Sequence, residues 1–169
     1  SGLGGCSKGG VASPVNLVPE RANTVGQINL SKILADEDLT GLYEIVPKDP
    51  DAPQTFDEAM DKLEDETGLD LMDFEEAVLF SDSSESGEEE AFSGYSGVIV
   101  KGSVNRNDLI TAIEKTAEVE LTTVQYKDYE IYTGEFEEIA LTFLNDSMFV
   151  MGQMETGTIP TWRCFQMMV

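Results

Sequence analysis

Apolar residues recur along this chain with two periods, one near two residues and one near 3.6, and the switches between them predict most of its secondary structure. Residues 23–30 alternate enough apolar positions to predict a first strand, whose end runs directly into helical territory. Asp36 stands where a helix cap is wanted, Leu39, Leu42, Tyr43 and Val46 follow at helical spacing, and Pro47, which has no N–H to donate, stops the helix. After a loop over residues 48–53, Thr55 and Glu58 have the spacing of a capping box, in which each side chain satisfies a backbone N–H that the first helical turn leaves over. The helix predicted over 56–67 puts Phe56, Met60 and Leu63 on one face, and Gly68 ends it as a residue free to turn left-handed. Asp70 is expected to cap one further turn through residues 71–74, before Ala77, Val78, Leu79 and Phe80 form a short buried strand.

Residues 81–94 have the composition of an exposed loop, and residues 95–101 read as the next strand. Asn105 caps a third helix with Asp108 in its first turn; Leu109, Ile110, Ile113 and Ala117 are expected to turn inward. Beyond it, strands are predicted near 120–126, 129–133, 139–144 and 147–153, joined by turns at Lys127 and Asp128, around Gly134 and Glu135, and at Asn145 and Asp146. Up to residue 126 the order is β-α-β-β-α-β. That order predicts an α+β fold: a split βαβ (ferredoxin-like) core enlarged by antiparallel hairpins, with helices on one face of the sheet. Three stretches follow: 1–18 as a leader and flexible tether, 19–154 as the α+β domain, and 155–169 as a tail of a different character, since Thr156 to Val169 contains no acid.

Composition changes this picture mainly through charge. Across 169 residues, 33 acidic side chains face 10 basic ones, a formal net of −23. A nucleic-acid binder neutralises phosphates with clustered Lys and Arg, and here the basic residues are scattered among acids, so nucleic acid is excluded as an expected partner. Anionic lipid head groups are repelled for the same reason. Most of the acid is read as a solvated surface suited to a salty or acidic exterior, although capture of cations or of a basic partner would use the same charge. The sequence has no histidine, which removes Ser-His-Asp and Cys-His catalysis and His-ligated zinc. It also lacks a GxGxxG fingerprint and a P-loop, so no nucleotide or other cofactor is expected.

The chain opens with Leu3-Gly4-Gly5-Cys6, which resembles the lipobox of prokaryotic lipoproteins. The resemblance implies a diacylglycerol on the Cys6 thiol, cleavage just before it, and an extracytoplasmic body anchored to the cell membrane or envelope through that lipid. A thiolate is a suitable nucleophile for lipid attachment, and small glycines let a peptidase approach the backbone. An apolar stretch upstream of Leu3 would complete the signal peptide. The alternative is a free thiol in a glycine-rich leader. Residues 7–18 are small, polar or proline-containing, as a tether would be, and no stretch reaches the roughly 18 apolar residues that span a bilayer.

Longer segments carry a second resemblance: Val18-Pro19, Ile28 to Leu34, Glu66 to Asp70, Gly97 to Gly102, Tyr126 to Tyr132 and Ala140 to Leu144. Over residues 19–154 the chain is similar to an uncharacterised family of bacterial and archaeal lipoprotein-like domains. Members of that family commonly continue with a further copy or extension, which implies that this chain holds the first part. No activity comes with the resemblance; it implies fold and surface location alone.

Candidate chemistry is sparse. Asp82, Glu85, Glu88, Glu89 and Glu90 form an acidic loop with Gly87 at the turn position of a calcium-binding loop. The spacing is wrong, however, because serines stand at positions 84, 86 and 93 where an EF-hand has acids, so a solvated loop is the leading reading. Carboxylate pairs such as Glu137 with Glu138, or Asp36 with Asp38, are too abundant to single out acid/base chemistry. Tyr126, Tyr129, Tyr132 and Phe136 offer an aromatic platform, against the simpler reading of cross-strand packing. The function expected is therefore a surface-tethered binding or interaction module for an unknown protein or small molecule. A carboxylate-dependent envelope enzyme and a structural envelope component are the alternatives.

Overall fold

The computed structural model describes residues 13–20, 22–82, 95–134 and 139–154. A 3-10 turn, Pro14–Leu17, precedes β1 (Thr24–Asn29); three helices follow, α1 (Leu30–Leu34), α2 (Glu37–Ile45) and α3 (Phe56–Thr67). A second 3-10 turn, Leu71–Asp73, leads into β2 (Phe74–Asp82), then come β3 (Tyr95–Gly102), α4 (Arg106–Ala117), β4 (Thr122–Tyr126), β5 (Tyr129–Thr133), β6 (Ile139–Asn145) and β7 (Met148–Met154).

Local chemistry accounts for the helix ends. Asn29 accepts from Lys32 N to start α1, Asp36 accepts from Asp38 N and Leu39 N at α2, and Asn105 accepts from Asn107 N and Asp108 N at α4. Both bonds of the Thr55–Glu58 capping box are made, and Gly68 ends α3 at φ 75°, in the left-handed region that costs glycine nothing. Asp70 accepts from Met72 N and caps the expected extra turn. Beyond the caps α4 departs from expectation. Leu109 is buried and Ile110 and Ile113 are half-buried, but Ala117 is exposed and Ala112 takes the buried place. At 3.6 residues per turn position 117 falls between 113 and 110 on the same side of the helix, so its exposure goes with its place as the last residue of α4.

Seven strands form one sheet in the order β1-β2-β3-β7-β6-β5-β4. The class is α+β, and every pair is antiparallel. The split βαβ arrangement needs β3 inserted between β1 and β2, with β1 parallel to β2; instead β1 is an edge strand paired antiparallel with β2, and β7 fills the place beside β3. The physical reason lies in what a central strand must bury. Both faces of a central strand are covered, so it wants a continuous apolar run. In β7, Met148, Phe149 and Val150 are consecutive and all buried, whereas β1 brings Thr24, Gln27 and Asn29 and is exposed over most of its length.

Four antiparallel steps separate β3 from β4, so these two strands run parallel, and α4 connects them across the width of β7, β6 and β5. Register gives each strand two faces. On one, Phe80, Ile99, Ile131, Ala140, Met148 and Val150 form a cluster that Leu17, Val18 and Ala22 pack against. On the other, Phe74, Ala77, Val100, Leu141 and Phe149 cluster with Leu109 of α4, and Leu30 of α1 and Leu71 pack on them. The side chains that α1 and α4 contribute to the sheet thus belong to one face. In contrast, α2 and α3 contribute none to either cluster. Tyr43 meets Phe56 edge-on at 6.0 Å, joining these two helices to each other, while Leu42, Ile45 and Val46 stay exposed.

Strand β2 begins three residues before the apolar run that predicted it and ends two residues after. Glu75 and Glu76 are accommodated because each meets a partner from a neighbouring strand: Lys101 Nζ donates to Glu75, and Gln27 Nε2 donates to Glu76. An irregularity between Phe74 and Glu76 marks where the pairing adjusts.

Candidate functional site

Because residues opposite one another in an antiparallel ladder share a face, the register sorts the helix-bearing face into rows that cross the strands. One row runs Ile28, Ala77, Val100, Phe149, Phe143, and lies under the helix side chains just described. The next runs Gly26, Leu79, Val98, Met151, Leu141, and the row beyond it starts Thr24, Ser81, Ser96. These two rows form the floor of an open groove of about 540 Å³ that reaches from β1 across to Ile139 of β6. Leu79, at 45% exposure, is the side chain that shows the described residues leave the floor uncovered. Apolar atoms of Leu79, Val98, Met151 and Ile139 dominate, the hydroxyls of Thr24, Ser81 and Ser96 stand along one margin, and no acid or base lines the groove.

Glycines shape this region. Gly97 and Gly152 are opposite each other on β3 and β7, with Phe80 opposite Gly97 on its other side. On the face away from the groove, a Cβ at Gly97 would lie 2.5 Å from Cζ of Phe80 and 3.1 Å from the Met151 carbonyl oxygen, so the absent side chain is what lets the Phe80 ring lie flat across β3. Gly26, by contrast, has nothing within 4 Å of its Cβ position. It leaves the groove open toward the sheet edge.

The residues singled out from sequence fall elsewhere. Cys6, Glu85, Glu88, Glu89, Glu90, Phe136, Glu137 and Glu138 lie outside the described residues, and Asp82 is the last residue of β2. Among the described residues, no group of three or more His, Cys, Asp or Glu side chains is placed to hold a metal. Asp36, one half of a suggested carboxylate pair, is occupied as the cap of α2. The aromatic platform is divided between faces: Tyr126 packs with the Ile131 cluster, while Tyr132 packs with the opposite cluster and meets Phe143 edge-on at 6.1 Å. Arg106 stacks over the Phe143 ring at 4.6 Å and pairs with Glu130 at 3.3 Å, which ties α4 to β5 and β6.

Acidic side chains outnumber basic ones among the described residues, and Lys101 is the group whose protonation is clearly perturbed. The Glu75 carboxylate accepts a hydrogen bond from Lys101, and with the nearby charge of Glu76 this raises the lysine above its usual range. The groove itself was missed in the sequence. Its signal was present in the glycines within strand segments, Gly26, Gly97 and Gly152, since a strand glycine often marks a close approach or an opening. Only their register could show that Gly26 opens the groove while Gly97 makes room for a ring. No helix among the described residues is long and apolar enough to cross a membrane. Compared with protein-family models, with curated proteins and with solved structures, the chain matches none.

Proposed function

We propose that this chain is a binding or interaction module, held to an extracytoplasmic membrane surface through a lipid on Cys6. The single observation that carries the binding half is the apolar groove that the described residues leave uncovered between β1 and β6. Folded domains tend to cover contiguous apolar surface unless something else is to occupy it, and apolar hollows with a few hydroxyls at the margin are the usual form of a recognition site. The anchoring half is carried by Leu3-Gly4-Gly5-Cys6 and the small, polar residues that follow. With a surface this acidic, attachment through a covalent lipid is favoured over a charge-based one.

An envelope enzyme working through carboxylates would need two of them converging on a cleft. The groove is lined by none. Binding without turnover is thus the reading this site supports best.

Mass spectrometry of the native product from its own host tests the anchor: the expected N-terminus is an acylated Cys6. A Cys6→Ser variant is expected to leave the detergent phase on phase partition. A native product that keeps the residues before Cys6 and carries no lipid defeats the proposal.

A further inference from the structure

Two features meet at β1. The strand is an edge, exposed along most of its length, and its six residues include no charge and no proline. Edge strands are ordinarily blunted by charged side chains, proline or a bulge, because alternate N–H and C=O groups along them are free to pair with another chain. In a chain with 33 acidic residues, an edge free of charge stands out against its surroundings. The second feature is that the apolar groove opens onto this same strand, with Thr24, Val25 and Gly26 among its lining. Gly26 shares a row with Leu79, Val98 and Met151, so a strand laid beside β1 would have a side chain facing that row with no β1 side chain between.

We propose that β1 receives an extended, positively charged segment of another protein, which adds an eighth strand to the sheet and sets an apolar side chain into the groove past Gly26. Main-chain bonds to the edge supply affinity and the groove supplies selection, the division of labour seen whenever a peptide extends a sheet. Charge decides between occupants. A second copy of this chain would bring a further −23, and the two would repel, whereas a basic segment is drawn to the acidic surface. Glu76 of β2, opposite Asn29 and bonded to Gln27, places a carboxylate one strand in from the edge, on the face away from the groove. This rests on the binding-module reading and names its site and partner class.

The test uses the full chain in solution with three synthetic peptides: one alternating lysine and valine about a central leucine, one with glutamate in place of lysine, and one with N-methyl groups on alternate amides of the basic peptide. Binding is followed by titration and by NMR shifts. The basic peptide is expected to shift the amides of residues 24–29 and the methyl groups of Leu79, Val98 and Met151, and to weaken as salt rises from about 0.1 M to about 1 M. The acidic peptide is expected not to bind, and the N-methylated one to bind poorly. Gly26→Leu fills the mouth of the groove at a position with open space, so it should keep the wild-type melting temperature and lose about tenfold or more in affinity. Shifts confined to another surface, equal binding of the acidic peptide, affinity unchanged in Gly26→Leu, or β1-mediated dimers without peptide would each overturn the proposal. Shifts on another surface would still leave a binding module, whereas turnover in the groove would remove that reading as well.

Discussion

Gly102 shows how much a single missing methyl group decides. A Cβ there would lie 2.5 Å from the carbonyl oxygen of Asp73 and 3.1 Å from Cα of Phe74, and backbone cannot rotate aside as a side chain can. The close approach is needed because Gly102 N donates to Ser147 O at 3.0 Å and Ser103 N to Asp73 O at 2.9 Å, which pins the end of β3 to both of its neighbours. Gly102→Ala is expected to destabilise the fold by about 1–3 kcal/mol, and Gly26→Ala to change it by less than about 1 kcal/mol in either direction. Urea midpoints of the two variants check this, and equal shifts would mean the contact at Gly102 is soft. Lys101 gives a pH-dependent case. Its pKa is raised in the folded chain by the bond to Glu75, so its contribution is full below the unfolded value of about 10.4 and is lost as pH rises through the folded value. The stability difference between wild type and Lys101→Met is therefore expected to be constant through neutral pH and to shrink above about pH 10.4, read as unfolding midpoints at several alkaline pH values.

Among the elements, α2 and α3 have local determinants of unusual clarity and little tertiary support. Thr55→Ala removes the half of the capping box in which the Thr55 hydroxyl accepts from Glu58 N, while the backbone N–H of residue 55 can still donate to Glu58, and is expected to cost about 1 kcal/mol. Gly41 sits in the middle of α2, exposed, with nothing within 4 Å of its Cβ position. Gly41→Ala is expected to stabilise by about 0.5–1 kcal/mol, because alanine gives up less backbone freedom on entering a helix. Amide exchange measured on both variants distinguishes local from global effects: α2 and α3 should respond more than β7, which is buried on both faces at Phe149 and Val150. The same clarity made these helices legible in sequence. Capping pairs and a terminal glycine act within one or two turns, so their meaning does not depend on what lies across the molecule. Strand ends are different. The limits of β2 depended on Lys101 and Gln27 arriving from its two neighbours, a condition that no local pattern states.

At the scale of the whole molecule, the net charge of −23 opposes the compact state through self-repulsion. Only three ion pairs are resolved among the described residues, each with partly exposed partners, so they offset little of it. The melting temperature is expected to rise by several degrees between about 0.05 M and about 1 M monovalent salt, where the Debye length falls to roughly 3 Å. Sodium and potassium chloride should act alike, since screening does not depend on the identity of the cation. A response to calcium alone, at millimolar concentration, would point instead to a specific site.

What the sequence determined by itself is the set of pieces: seven strands and the principal helices, their caps and stops, the absence of imidazole, and a strong excess of acidic side chains. Each of these depends on residue type or on spacing within a few positions. Strand order, and with it the groove, was decided only in three dimensions. Strand β7 competed with β1 for the place beside β3 and took it because Met148, Phe149 and Val150 fill both faces, which sent the more polar β1 to the edge. That competition is between segments more than a hundred residues apart, and its outcome is set by how much apolar surface each buries, a quantity that exists only once both faces of the sheet are assembled.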